Sequence, residues 1–173
     1  MAVESKQIAA RARRQREARK YKPSSIDLLL VAEAPPQELS RYFYFEEVTV
    51  QDSLFRYVAR EVLGVEPTRA NKAELLVQLR DRGVFLIDLK PDPEDGSPLT
   101  DYVSELVRRC QELRPAKIIL IKVTLYDVAY ASLARAELPV VNERIPFPGS
   151  GRQHEFELAF RRSLGEQPDQ SEA

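Results

Sequence analysis

One cysteine, Cys110, one histidine, His154, and no tryptophan occur in the 173 residues. A lone cysteine excludes an intrachain disulfide framework. With a single histidine it also excludes a Cys/His zinc or iron–sulfur site within one chain. Neither a metal nor a cofactor is expected. A Ser-His-Asp or Cys-His mechanism would have to pass through His154. Glycine is scarce, at six residues. Neither a Walker A loop nor a G-x-G-x-x-G turn follows the first apolar segment, which removes the phosphate cradle of P-loop and Rossmann proteins. The nucleophile elbow G-x-S-x-G is missing too. Pro148-Gly149-Ser150-Gly151 only approximates it, and it follows the last predicted strand instead of preceding an acid and a histidine. The early apolar run Leu28 to Ala32 falls far short of the ~20 residues a membrane span needs. The charged N-terminus does not read as a secretory signal, so a cytoplasmic protein with no membrane contact is expected.

What is present suits a single globular domain, with 43% hydrophobic and 31% charged residues. The net charge is −1, unevenly spread. Residues 1–22 carry Lys6, Arg11, Arg13, Arg14, Arg16, Arg19, Lys20 and Lys22 against only Glu4 and Glu17. A basic segment on a mildly acidic body is suited to phosphate backbone, and Arg11, Arg13, Arg14, Arg16, Arg19 and Lys20 are its candidate contacts. A solvated, frayed terminal helix is the plainer alternative.

After Pro23-Ser24-Ser25, the nearly continuous apolar run Ile26 to Ala32 reads as a strand covered on both faces. Thr49 to Asp52 has the form of a capping box for a helix bearing Leu54, Phe55, Val58, Val62 and Leu63, closed by Gly64. A helix from Asn71 to Gly83, a strand from Val84 to Leu89, and a helix capped by Ser97 with Pro98 at its first position follow. The spacing predicts a third strand from Lys117 to Val123 and a helix capped by Thr124. A short fourth strand over Pro139 to Asn142 and a helix from Gln153 to Leu164 complete the pattern. Strands alternating with helices predict a three-layer α/β/α sandwich with a mostly parallel four-stranded sheet. The expected organisation is a basic arm over 1–24, a domain over 25–164 and a disordered acidic tail over 165–173.

In such sheets ligands bind beyond the carboxyl ends of the strands. That rule selects Glu33 to Pro36, Asp88 to Pro91, Lys122 to Thr124 and Ile145 to Arg152. In these segments the chain resembles the uracil-DNA glycosylase superfamily. Leu29-Leu30-Val31-Ala32-Glu33-Ala34-Pro35-Pro36 looks like its Gly-Glu-Ala-Pro-Gly motif, with Ala32 and Pro36 in place of the glycines. Tyr42-Phe43-Tyr44-Phe45 lies where the family stacks an extruded base. Leu54-Phe55 resembles the Phe-Trp stretch of the mismatch-specific branch. Asp88 stands where the family ends its second strand on a base-reading Asn. Ile145 to Arg152 is similar to the last family motif but lacks its His or Asn, with Phe147 and Pro148 nearby. The resemblance spans about residues 25–164. It implies the glycosylase fold, DNA as partner, and recognition of a base, with cleavage of the N-glycosidic bond of a damaged or mismatched base as the associated activity. A noncatalytic DNA- or nucleotide-binding module with a degenerate pocket is the first alternative. A small-molecule nucleotide binder is the second.

On this reading Glu33 is the catalytic candidate, a carboxylate that aligns water or stabilises an oxocarbenium-like sugar. Against it stands a turn-capping role. Ala34, Pro35, Phe43, Tyr44, Phe45, Asp88, Phe147, Ser150 and Arg152 are the substrate-binding candidates. Tyr42 to Phe45 could stack on a base or simply pack the core, and by period two only one pair would face a site. Asp88 could read a base or merely cap a turn before Pro91. An ionised Asp there offers acceptors only, which disfavours uracil and favours an edge of adjacent donors. Ser150 to Gln153 form a helix N-terminus suited to a phosphate or to simple capping. His154 reads as a surface residue of that helix.

Overall fold

The computed structural model describes residues 1–149 and 151–165. Its centre is β1, Leu28–Ala32, whose five residues are all buried. A strand without a polar face belongs between two others, and β1 is flanked by β2, Val84–Asp88, and β3, Ile118–Leu120. Both neighbours run parallel to it, with Leu30 opposite Leu86 on one side and Ile119 on the other. The sheet is open, three-stranded and ordered β2-β1-β3.

The predicted fourth strand over residues 139–142 is not formed. Val140 makes one parallel bridge to Ile118, and Ile145 makes another to Ile121. Between these points the chain leaves the sheet edge, and Pro139 accepts from Ile118 N (2.9 Å) but has no N–H to return.

Helices cover both faces. The pairs in contact are α2, Ser53–Leu63, with α3, Lys72–Asp81, and with α6, Gln153–Leu164; and α4, Val103–Leu113, with α5, Val123–Arg135. The cap of α2 is Asp52 rather than Thr49: its carboxylate accepts from Phe55 N at 2.9 Å. Gly64 ends that helix at φ 68°, in the left-handed region glycine tolerates. A 3₁₀ turn, Leu99–Tyr102, leads into α4. Phe55, Leu106, Leu125, Phe156 and Phe160 are fully buried against the sheet and each other.

The basic segment is not a detached arm. It forms α1, Ala2–Lys20. Residues 1–9 are exposed, but the second half of the helix docks on the domain. Arg14 is 6% exposed and donates to Pro91 O (3.0 Å) and Asp92 Oδ1 (3.1 Å). Arg11 also pairs with Asp92. Arg13 lies 4.0 Å over the Phe45 ring, and Lys20 pairs with Glu17 at 2.7 Å. Beyond the helix, the Tyr21 ring stacks on Tyr44. Arg14 is therefore withdrawn from the phosphate-contact candidates, because its charge is spent inside the protein. The tail expected over 165–173 lies outside the described residues except for Gly165, which closes α6 at φ 84°. Among the described residues no helix is long and apolar enough to cross a membrane.

Candidate functional site

The β2-β1-β3 order places a topological switch between β1 and β3, where the crossovers leave in opposite directions. Glu33 follows β1 at this point and Lys122 follows β3. Lys122 Nζ donates to Glu33 Oε1 at 2.9 Å, and Thr124 Oγ1 donates to Glu33 Oε2 at 2.7 Å. Thr124 thus serves Glu33 instead of capping α5. With both oxygens engaged and the side chain 13% exposed, the Glu33 carboxyl is held in one orientation. Lys122 adopts φ 100°, a conformation costly for a side-chain-bearing residue. Its N–H donates to Ile145 O at 3.0 Å, which ties the strained residue to the chain leading into the Phe147 loop.

A cleft of ≈ 330 Å³ opens beside this pair. It lies at the carboxyl ends of the strands and falls within the size range of small-molecule sites. Residues 32–37 after β1 form one wall. Arg41, Tyr42 and Phe43 form another, Asp52 to Leu54 at the start of α2 a third, with Leu86 and Asp88 of β2, Glu94, Lys122 and Phe147 completing the lining.

Asp88 titrates at about 7, raised first by burial and then by the Asp52 carboxylate, against the pull of Arg109 and Arg14. Asp52 is also raised, chiefly by burial, and opposed by the Phe55 N–H and by Lys72 and Arg41. Two carboxyls with raised values in one cleft favour sharing the site with a proton or with donors.

Of the residues expected from sequence, Glu33, Ala34, Pro35, Phe43, Asp88 and Phe147 meet in this cleft. Tyr44 and Phe45 do not line it. The aromatic run is a turn, closed by Phe45 N donating to Tyr42 O at 3.1 Å, so strand alternation does not apply. Tyr44 accepts from Leu86 N (2.7 Å) and donates to Leu86 O (3.0 Å), while Phe45 packs beneath Arg13; both are core residues. Arg152 is exposed and bonded to Glu155 at 2.6 Å, away from the cleft lining. Ser150 lies outside the described residues. His154 is exposed and does not line the cleft. Sequence reasoning missed Arg41 and the roles of Asp52, Lys122 and Thr124. Arg41 carried no motif, and Asp52 and Thr124 read as ordinary cap positions. Among the described residues no group of three or more His, Cys, Asp or Glu is placed to hold a metal ion. Comparison with protein-family models, curated proteins and solved structures returns no match.

The raised Asp88 value has a consequence for stability. The native state keeps a proton that the unfolded chain releases above its ordinary value of 3.8. The resulting stabilisation is complete below that value and is lost as pH rises towards about 7. Asp88→Asn cannot ionise. Its thermal midpoint is expected to exceed wild type at pH 8 by several degrees and to lose that advantage at pH 4. Parallel melts at both values check this, and an equal offset at both would remove Asp88 ionisation from the account.

Proposed function

We propose that this chain recognises a single nucleobase of a nucleic acid in the cleft, in the manner its resemblance to uracil-DNA glycosylases implies. The observation that carries the reading is that Asp88, whose carboxyl takes no hydrogen bond among the described residues, lines a cleft at the carboxyl ends of parallel strands together with the rings of Phe43 and Phe147. A flat heterocycle satisfies such a site, with rings for its faces and a polar group for its edge. Support for a polymeric ligand comes from α1. Arg13 reaches the carbonyl of Leu39, in the same loop whose neighbours line the cleft, and Lys6, Arg16, Arg19 and Lys20 are exposed along the helix. Neutralising Lys6, Arg16 and Arg19 together by Gln is expected to weaken DNA binding and flatten its salt dependence. Each lost phosphate contact lowers the logarithmic slope by roughly 0.7–0.9. Deleting α1 is a poorer test, because it also removes Arg14 from beneath the loop after β2.

Base recognition without cleavage is the reading favoured here. Phe147 and Pro148, just after the Ile145 bridge, fill the stretch where the resemblance implies a leaving-group acid or amide, and Glu33 has both oxygens committed. A glycosylase remains the second reading, because a carboxylate fixed at the switch point can stabilise a cationic sugar without moving. Incision and binding measured in parallel over duplexes containing uracil, hypoxanthine, xanthine or a mismatch separate the two. Base release that falls about a hundredfold or more in Glu33→Gln establishes the enzyme. Binding without release establishes recognition alone, and neither binding nor release overturns both.

A further inference from the structure

The charged groups facing the cleft are Glu33, Arg41, Asp52, Asp88, Glu94 and Lys122. Four are committed to the protein. Glu33 and Lys122 pair with each other, Asp52 caps α2, and Glu94 accepts from Lys90 Nζ (2.8 Å) and Gly96 N (2.7 Å). Two are not. Among the described residues, the Asp88 carboxyl takes no hydrogen bond, and the Arg41 guanidinium makes none. Arg41 makes a long ion pair with Glu38 at 3.9 Å and acts on Asp52 through space, but its guanidinium has no hydrogen-bond acceptor, and its buried Nε has none within reach. Its behaviour departs from that of Arg11, Arg56, Arg108, Arg144 and Arg162, each of which is bonded to a carboxylate. A cleft that keeps one carboxyl and one guanidinium fork without hydrogen bonds is set for a ligand carrying the opposite pair.

We propose that the cleft selects a guanine-type edge, with Asp88 accepting from the ring N–H and the exocyclic amine while Arg41 donates to the carbonyl and ring nitrogen beside them. This rests on the base-binding reading above. Uracil offers a single N–H between two carbonyl oxygens, so a carboxylate that takes the donor meets an acceptor on either side. Adenine offers one donor beside one acceptor. Guanine alone among the common bases presents two adjacent donors together with the carbonyl and ring-nitrogen pair that an arginine fork matches. Phe43 and Phe147 supply apolar walls for the ring.

The carboxylate form of Asp88 is the one that accepts both bonds. Burial and the Asp52 carboxylate oppose that form, Arg109 and Arg14 favour it, and the neighbouring Tyr42 and Tyr44 hydroxyls, held well above their ordinary value by burial, stay neutral in this range. Guanine affinity is therefore expected to rise as pH increases from 6 to 8 and then to level.

Guanosine, inosine, adenosine and uridine titrated into the full chain test the inference, with binding followed by calorimetry at both pH values. Guanosine should bind most tightly, and inosine, which lacks the amine, about tenfold more weakly. Asp88→Asn should weaken guanosine by at least about tenfold, improve uridine and abolish the pH dependence. Arg41→Gln, which leaves Asp88 in place, should weaken guanosine and inosine alike and serves if the first variant does not fold. Uridine or adenosine bound as tightly as guanosine, or inosine equal to it, overturns the guanine selection and leaves base recognition standing. Failure to bind any of the four overturns both.

Discussion

Replacing Lys72 by alanine is expected to destabilise the protein by about 3 kcal/mol and to loosen the cleft with it. Lys72 opens α3 and is 0% exposed. Its ammonium donates to Tyr42 O at 2.9 Å and lies 4.8 Å from the centre of the Phe55 ring. It thereby fastens the aromatic turn, two of whose residues line the cleft, to the core beneath. Alanine leaves the Tyr42 carbonyl without its donor, at about 1–3 kcal/mol. It also leaves the space of three methylenes and the ammonium beside Phe55, where packing loss adds to the cost. Lys72→Met fills most of that space and isolates the polar part. Burial pulls the Lys72 amine down to about 8, with Asp52 opposing. Its folded value thus lies below the ordinary 10.5, so the native state releases the proton first. The penalty for burying the charge is complete below about 8 and disappears as pH rises to 10.5. Urea unfolding should show wild type gaining stability relative to Lys72→Met across that window. Parallel pH profiles for the two proteins would show that Lys72 is not buried as described.

Phe147→Ala is expected to weaken binding of an unstacked base by about tenfold or more while leaving unfolding nearly unchanged. The ring is 41% exposed, so its removal costs the core little. Pro146 and Pro148 on either side are buried, and their fixed φ holds the segment so that the ring stays at the cleft mouth. Gly149 supports the same arrangement: a Cβ there would stand 3.2 Å from the ring. Phe147→Tyr should retain most of the affinity, since either ring can stack. Equal affinity in wild type and Phe147→Ala would place the bound base elsewhere.

The buried strands were legible because β1 and β2 need apolar residues on both faces, and the runs at Leu28 and Val84 announce that directly. The carboxyl-end rule then located Glu33, Asp88 and Lys122 without any motif. The edge was less legible. Residues 139–142 have strand composition, but pairing along an edge depends on where the chain turns away, which composition does not encode. The aromatic run misled for a related reason: four successive rings read as alternating, yet a turn sends all four inward. Arg41 and Lys72 were invisible because their significance lies in what they touch or fail to touch across the fold. The positive stretch at the N-terminus was read by charge alone, and one of its arginines, Arg14, proved to be a buried strut.

The most direct measurement compares one DNA duplex carrying a single unpaired guanine with the same duplex carrying an abasic site at that position. Phosphate contacts are the same in both, so only entry of the base into the cleft can separate their affinities. Binding to the guanine duplex is expected to be at least about tenfold tighter, and the difference to be lost in Phe147→Ala. Equal affinity of the wild-type chain for both duplexes would contradict base recognition in this cleft.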